Sequence, residues 1–159
     1  MDKHAVIAAL RARIAEEIAT MTRLAVEAAE AASHEENKPE NDKDMRSTEA
    51  SYIARGQATR ARDLERSHGL LGALMLREFK PGDGIELSAL VELKSRGSLI
   101  RCLIVPTAGG ERVTIDGVEV QAVTPTSPLG AALIGLAEGD DVEVRTPQGT
   151  KVYEVISVR

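Results

Sequence analysis

Phe79-Lys80-Pro81-Gly82-Asp83-Gly84-Ile85-Glu86-Leu87-Ser88-Ala89-Leu90-Val91-Glu92-Leu93 is the stretch in which the chain changes its period. Pro81-Gly82-Asp83-Gly84 reads as a turn, because proline presets φ and glycine adopts conformations that other residues avoid. Directly after it, Ile85, Leu87, Ala89, Val91 and Leu93 alternate with Glu86, Ser88, Leu90 and Glu92. Such alternation predicts a strand with one buried face. Only three of the 13 glycines and one of the 6 prolines precede residue 80. Helices avoid both residues and turn-rich sheets use them. The chain is therefore divided into residues 1–78 and residues 79–159, two small domains in 159 residues.

Upstream, Val6, Ile7, Leu10, Ile14, Ile18, Met21, Leu24 and Ala28 recur at spacings of three and four, one apolar stripe on a helix. A second stripe runs through Ala50, Ile53, Gln57, Ala61, Leu64, Leu71 and Leu74. Between them lies the polar segment from Ser33 to Asp44, with Pro39 inside it. Proline removes a helical hydrogen bond and clashes with the preceding turn. These features predict two antiparallel helices sharing one narrow seam, each arm of about 28 residues reaching roughly 40 Å. A seam of this kind offers little core, so the base of the hairpin is expected to dock on the second domain.

Downstream, Leu99–Val105 is a continuous apolar run suited to an inner strand. Asp116-Gly117 between Val113–Ile115 and Val118–Val120 is a hairpin signature. Ser127-Pro128 opens the apolar run Leu129–Leu136, with serine as N-cap and proline at the first helical position. Gly139 is the expected stop of that helix. Asp141–Arg145 and Lys151–Val158, joined through Pro147-Gln148-Gly149, close the list of strands. The fold class read from this order is α+β: a helical hairpin, then an antiparallel sheet packed by one short helix.

Composition narrows the functions. Hydrophobic residues make up 43% of the chain, enough for a core, but aromatic residues only 2%. Binding of single-stranded nucleic acid stacks bases on aromatic side chains, and a phosphate-tracking surface is basic, whereas this chain carries a net charge of -5. The lone Cys102 forms no intrachain disulfide and no cysteine-rich zinc site, and in its apolar strand it reads as a small core residue. The N-terminal apolar run is too short for a secretory signal or a membrane span. The expectation is a cytoplasmic protein without membrane contact.

Ten residues concentrate charge. Residues 35–44 hold five carboxylates (Glu35, Glu36, Glu40, Asp42, Asp44) and two lysines, a net -3. A charged turn between helices is ordinarily a solvated face. Its carboxylates are also hard oxygen donors of the kind Mg²⁺ takes. They do not follow the alternating pattern of an EF-hand loop, and no phosphate-cradling glycine motif and no nucleophile elbow occurs elsewhere. His4, His34 and His68 have no partner at ligand spacing, and Thr107-Ala108-Gly109-Gly110 reads as a turn. Arg55, Arg60, Arg62 and Arg66 give the second helix a basic side, open to two readings: ion pairing within the hairpin or contact with an acidic partner.

The C-terminal residues are the most specific. Ser127-Pro128-Leu129-Gly130-Ala131-Ala132-Leu133-Ile134-Gly135, then Gly139-Asp140-Asp141-Val142-Glu143-Val144, then Pro147-Gln148-Gly149, then Tyr153-Glu154-Val155 follow one another in order. This series resembles the end of the bacterial Gre transcript-cleavage factors, and the layout of a charged-tip hairpin before a globular domain resembles them too. The resemblance implies an FKBP-like second domain and a bacterial RNA polymerase partner, bound at its secondary channel by a monomeric factor. It implies that Thr126, Ser127 and Pro128 contact the channel rim. It also implies that the tip carboxylates Asp42 and Asp44, with Glu40 as substitute, act in trans on the polymerase Mg²⁺ so that backtracked RNA is cleaved. The factor would then have no cofactor of its own, would not itself be an enzyme, and would meet nascent RNA only through the polymerase. The family's Asp-x-x-Glu pair is missing between residues 35 and 44, so the alternative is a non-cleaving channel binder that inhibits or regulates the polymerase. A prolyl isomerase on the same fold is disfavoured, since such pockets are aromatic and residues 79–159 offer only Phe79 and Tyr153.

Overall fold

The computed structural model describes residues 1–36, 43–147 and 149–159, with the side chains of residues 35, 36 and 43–47 outside the description. Two compact units emerge: Met1–Arg11 together with Leu70–Arg159, and Ala12–Gly69. The first and last turns of the helical hairpin thus belong to the same unit as the sheet.

Helix α1 spans Lys3–Glu36 and α2 spans Lys43–Gly72. At 34 and 30 residues both exceed the expected arms, because the alanine-rich stretch Ala25–Ala32 continues the helix that its weak stripe left undecided. Asp2 caps α1: its carboxylate accepts from the His4 amide at 2.8 Å, and this bond holds the Asp2 carboxyl below its ordinary range. Within Ala12–Gly69 the helices run antiparallel, as the Arg60–Glu17 ion pair at 3.1 Å shows. Ile14, Ala32, Ala61 and Leu64 are buried along the seam. Ile18, Met21 and Leu24 are only half-buried, and Ile53, expected in the seam, is 49% exposed. Two helices alone have no third layer to cover the flanks of the stripe.

The sheet contains, among the described residues, β1 (Leu90–Ser95), β2 (Ser98–Ile104), β3 (Arg112–Ile115), β4 (Val118–Val123), β5 (Asp141–Thr146) and β6 (Gly149–Val158), in the order β3-β4-β2-β1-β6-β5. Helix α3 (Pro128–Leu133) packs against β5. The hairpin, the sheet and the short helix match the sequence reading. The sheet, however, is mixed: β2 and β4 pair in parallel, with Cys102 opposite Gln121 and Ile104 opposite Val123. A parallel neighbour requires a crossover, and residues 105–117 with β3 provide it. Two tight hairpins turn on Arg96-Gly97 and Asp116-Gly117, all four residues at positive φ, the geometry that matches the twist of paired strands.

The alternation from Ile85 to Leu93 misled in two respects. Only Leu90 onward is strand. Ile85 exchanges backbone bonds with the turn after α3, donating to Leu136 at 2.7 Å and accepting from Gly135 at 2.9 Å. Ser88 then donates to Ile104 at 2.8 Å with a left-handed φ of 70°. Ile85 and Ala89 still point into the core, each 0% exposed, together with Val91, Leu93, Cys102, Ile104, Leu133 and Val155. The alternation holds at Ile85, Ala89, Val91 and Leu93 but fails between them: Leu87, expected inside, is 44% exposed, while Ser88 and Leu90, expected outside, are buried, because the left-handed turn at Ser88 breaks the two-residue period.

Helix α3 also stops earlier than expected, at Leu133, with Gly135 rather than Gly139 in the first left-handed position after it. Its start follows the sequence closely. Ser127 Oγ accepts from the Gly130 amide at 3.1 Å and donates to the Thr124 carbonyl at 2.8 Å. A Cβ on Gly130 would collide with that same Thr124 carbonyl, so only glycine lets the first helical turn lie this close to the strand exit.

Two outcomes are expected. Ser127→Ala removes the cap and lowers unfolding free energy by about 1 kcal/mol, while Gly130→Ala overpacks the turn and costs about 1–3 kcal/mol, both read as shifts of the urea midpoint at unchanged slope. Second, Glu92 sits opposite Arg101 on β1 and β2, with Nε···Oε1 at 2.6 Å. The Arg101 hydrogen bond, then that of Ser157, hold the Glu92 carboxyl below its ordinary 4.5, against its partial burial. A lowered carboxyl contributes stability that is present above pH 4.5 and lost as pH falls through the lowered value. Glu92→Gln should therefore cost about 0.2–1 kcal/mol near neutrality and nothing in strong acid, measured by unfolding across that range.

Candidate partner-binding site

The entry to α3 is the most sharply built surface feature of the sheet unit. β4 ends in the buried Val123, and Thr124, Pro125, Thr126, Ser127 carry the chain outward to Pro128. Thr126 and Pro128 are exposed, whereas Ser127 is half-buried. The Ser127 hydroxyl makes two bonds inside the turn, so it shapes the segment instead of facing out. Thr126 Oγ1 lies 3.4 Å from Thr124 Oγ1 and is the hydroxyl presented at the surface. Thr124 is fixed in turn by Gly109, where a Cβ would lie 3.0 Å from its Cγ2. Beyond Pro128, Ala131 and Ile134 are also exposed, and α3 itself carries no charge. The arrangement offers a small, rigid, mainly apolar surface with one free-facing hydroxyl, suited to a protein partner.

The three residues predicted at this place are thus adjacent but play different parts. Thr126 and Pro128 form the surface and Ser127 positions them. The two internal bonds of Ser127 were legible as an N-cap signal; that they consume its hydroxyl was not.

The other predicted site falls elsewhere. Glu40 and Asp42 lie outside the described residues; Asp44 is in α2, with its side chain outside the description. Among the described residues no group of three or more His, Cys, Asp or Glu side chains is placed to hold a metal. Along the hairpin, α1 and α2 flank an open groove of about 520 Å³ lined by Ala25, Ala29, Ala54 and Ala58, with Arg55 and Arg62 also on it. The basic side of α2 is therefore divided: Arg60 pairs with Glu17 across the hairpin, and Arg55 and Arg62 border the groove. Cys102 is fully buried, and burial pushes its thiol up to about 12, so it is no nucleophile at neutral pH. Among the described residues no helix is long and apolar enough to cross a membrane.

The chain is similar to known proteins in its C-terminal part. Residues 110–159 match the family model of the transcription elongation factor GreA/GreB C-terminal domain. The transcription elongation factor GreA of Cereibacter sphaeroides is 52% identical over 42 residues, 26% of this chain and 28% of that protein. GreA of Hyphomonas neptunium is 38% identical over 82 residues, 48% of this chain and 52% of its own length. The matched segments thus span about half or less of these relatives. The crystal structure of GreA factor homolog 1 of Thermus thermophilus aligns over 94% of both chains at 22% identity and a TM-score of 0.39. The segment that contains β3 to β6, α3 and the Thr126–Pro128 surface is the part of the chain that is similar to the GreA/GreB C-terminal domain.

Proposed function

We propose that the protein is a transcription elongation factor that binds bacterial RNA polymerase at its secondary channel. The observation that carries this reading is the family match over residues 110–159, which contains the outward-facing Thr126 and Pro128. In this reading Thr126 and Pro128 meet the channel rim, Ser127 holds them in place, and the hairpin carries its charged turn toward the polymerase active centre. The factor is an accessory, not an enzyme, acts as a cytoplasmic monomer, and touches RNA only through the polymerase.

We further propose that the tip stimulates cleavage of backtracked RNA. Asp42 and Asp44, with Glu40 as substitute, would supply carboxylate oxygens to the Mg²⁺ of the polymerase, and hard oxygen donors are what that ion accepts. Mg²⁺ in such a centre activates water for attack on a phosphodiester. The chain's own part is to deliver charge into a confined site. A second reading has its own observation. With carboxylates at 35, 36, 40, 42 and 44, no two stand three apart, so the same channel binding without cleavage would make the protein an inhibitor or regulator.

A halted, backtracked elongation complex distinguishes the two. Cleavage of its RNA on addition of the protein, falling roughly 10–100-fold in the Asp42→Asn, Asp44→Asn double variant, is expected for the first. Repression of multi-round transcription without cleavage supports the second. Thr126→Asp should weaken capture of purified polymerase while leaving unfolding stability within about 0.5 kcal/mol, as for most exposed positions.

A further inference from the structure

At the start of α1 the ammonium of Lys3 lies among three main-chain oxygens. Its Nζ donates to the carbonyl of Arg77, to that of Ser88 at 3.1 Å and to the main-chain oxygen of Arg159 at 3.2 Å. The Phe79 ring presents its face to the same atom, with the centroid 5.0 Å away, and the Arg77 guanidinium lies 4.8 Å from that ring. An ammonium has three donors and no acceptor, so three main-chain oxygens and an aromatic face satisfy it.

The oxygens are held in place by bonds in which Lys3 has no part. The Ser88 amide donates to Ile104 at 2.8 Å, and its hydroxyl accepts from the Arg77 amide at 3.0 Å. Arg159 is fixed by a reciprocal pair with Leu90, at 2.8 Å and 3.0 Å. Ser88 is the one buried polar residue among those described and keeps a left-handed φ of 70°. Such a conformation costs a non-glycine residue of order 1–3 kcal/mol and persists only where its surroundings enforce it. Here it turns the Ser88 carbonyl toward Lys3 while its hydroxyl holds Arg77. Burial, the main influence, and the neighbouring Arg77 lower the Lys3 pKa from its ordinary value, and Glu78 opposes them. The ion is partly withdrawn from water at this position.

We propose that the main-chain oxygens of Arg77, Ser88 and Arg159 and the ring of Phe79 form a binding site for a small monovalent cation, of the potassium or ammonium kind, which the chain fills with its own Lys3. Carbonyl oxygens in a fixed set replace the hydration shell of such ions. The charge at Nζ is then the element that closes the site, and the aliphatic stem is a tether. Shortening the tether leaves a site that a free cation can enter.

Full-length Lys3→Ala and Lys3→Met variants test this by thermal unfolding in potassium chloride, methylammonium chloride and choline chloride at equal ionic strength. Both variants should unfold lower than the parent protein in choline, by about 2–4 °C. Potassium or methylammonium should return Lys3→Ala toward the parent midpoint in a saturable, concentration-dependent way, while choline, too large for the site, does not. The parent protein should show no difference among the three salts. Lys3→Met remains available if Lys3→Ala does not fold, and its midpoint in choline should still lie below that of the parent. Equal recovery of Lys3→Ala in all three salts, no recovery in any, or a Lys3→Met variant as stable as the parent would overturn the proposal.

Discussion

The segment Ile85–Ala89 is the constraint on which the sheet unit depends. Its two ends are buried, and their backbone groups are satisfied by two different elements. Ile85 bonds to the turn after α3, Ser88 to the end of β2, and Ala89 accepts from Ile104 at 2.9 Å. Buried amides and carbonyls that lack partners are costly, and this division of partners ties α3 to the sheet before any side chain is considered. Ile85 and Ala89 then add apolar burial from the same segment. The position of α3, and with it that of Thr126 and Pro128, follows from this short crossing.

Surface and support are separated at the start of α3. Ser127, Gly130, Gly109 and Thr124 form a tightly packed underside in which every hydroxyl or missing Cβ has a local purpose. Thr126, Pro128, Ala131 and Ile134 form the exposed side. Substitution on the underside therefore acts through stability, and substitution on the exposed side acts through binding. A rigid, uncharged helix entry of this kind loses little conformational freedom when a partner settles on it.

Local signals were read correctly in the sequence. Asp116-Gly117 specifies its hairpin through two residues at positive φ, and Ser127-Pro128 specifies a helix start through a side-chain acceptor and a fixed φ. Non-local choices were not readable. Nothing in Leu99–Val105 says that its neighbour β4 runs parallel, because the pairing is decided by where residues 105–117 return the chain. The alternation at Ile85–Leu93 placed Ile85, Ala89, Val91 and Leu93 inside correctly, missed that Leu87 is exposed and Ser88 and Leu90 are buried, and was silent on which backbone groups pair. The Lys3 site draws on residues as far apart as Ser88 and Arg159, so no window of sequence contains it. The N-cap at Ser127 was legible; that Ser127 spends its hydroxyl internally was not. The tip carboxylates Glu40 and Asp42 lie outside the described residues, so their reading rests on sequence alone.

The contact between Lys3 and Arg159 joins residues 156 positions apart, and this has a bearing on the order of folding. Helix α1 needs only neighbours in sequence and can form within microseconds. β1 needs β2, a few residues on, but its other neighbour is β6, and loop-closure entropy delays such distant pairings. During synthesis the hairpin therefore emerges and zips first, while β1 keeps one edge unpaired until β6 has been made. That open edge is the interval of greatest exposure to aggregation, and the short lifetime of the interval depends on how quickly β6 finds it.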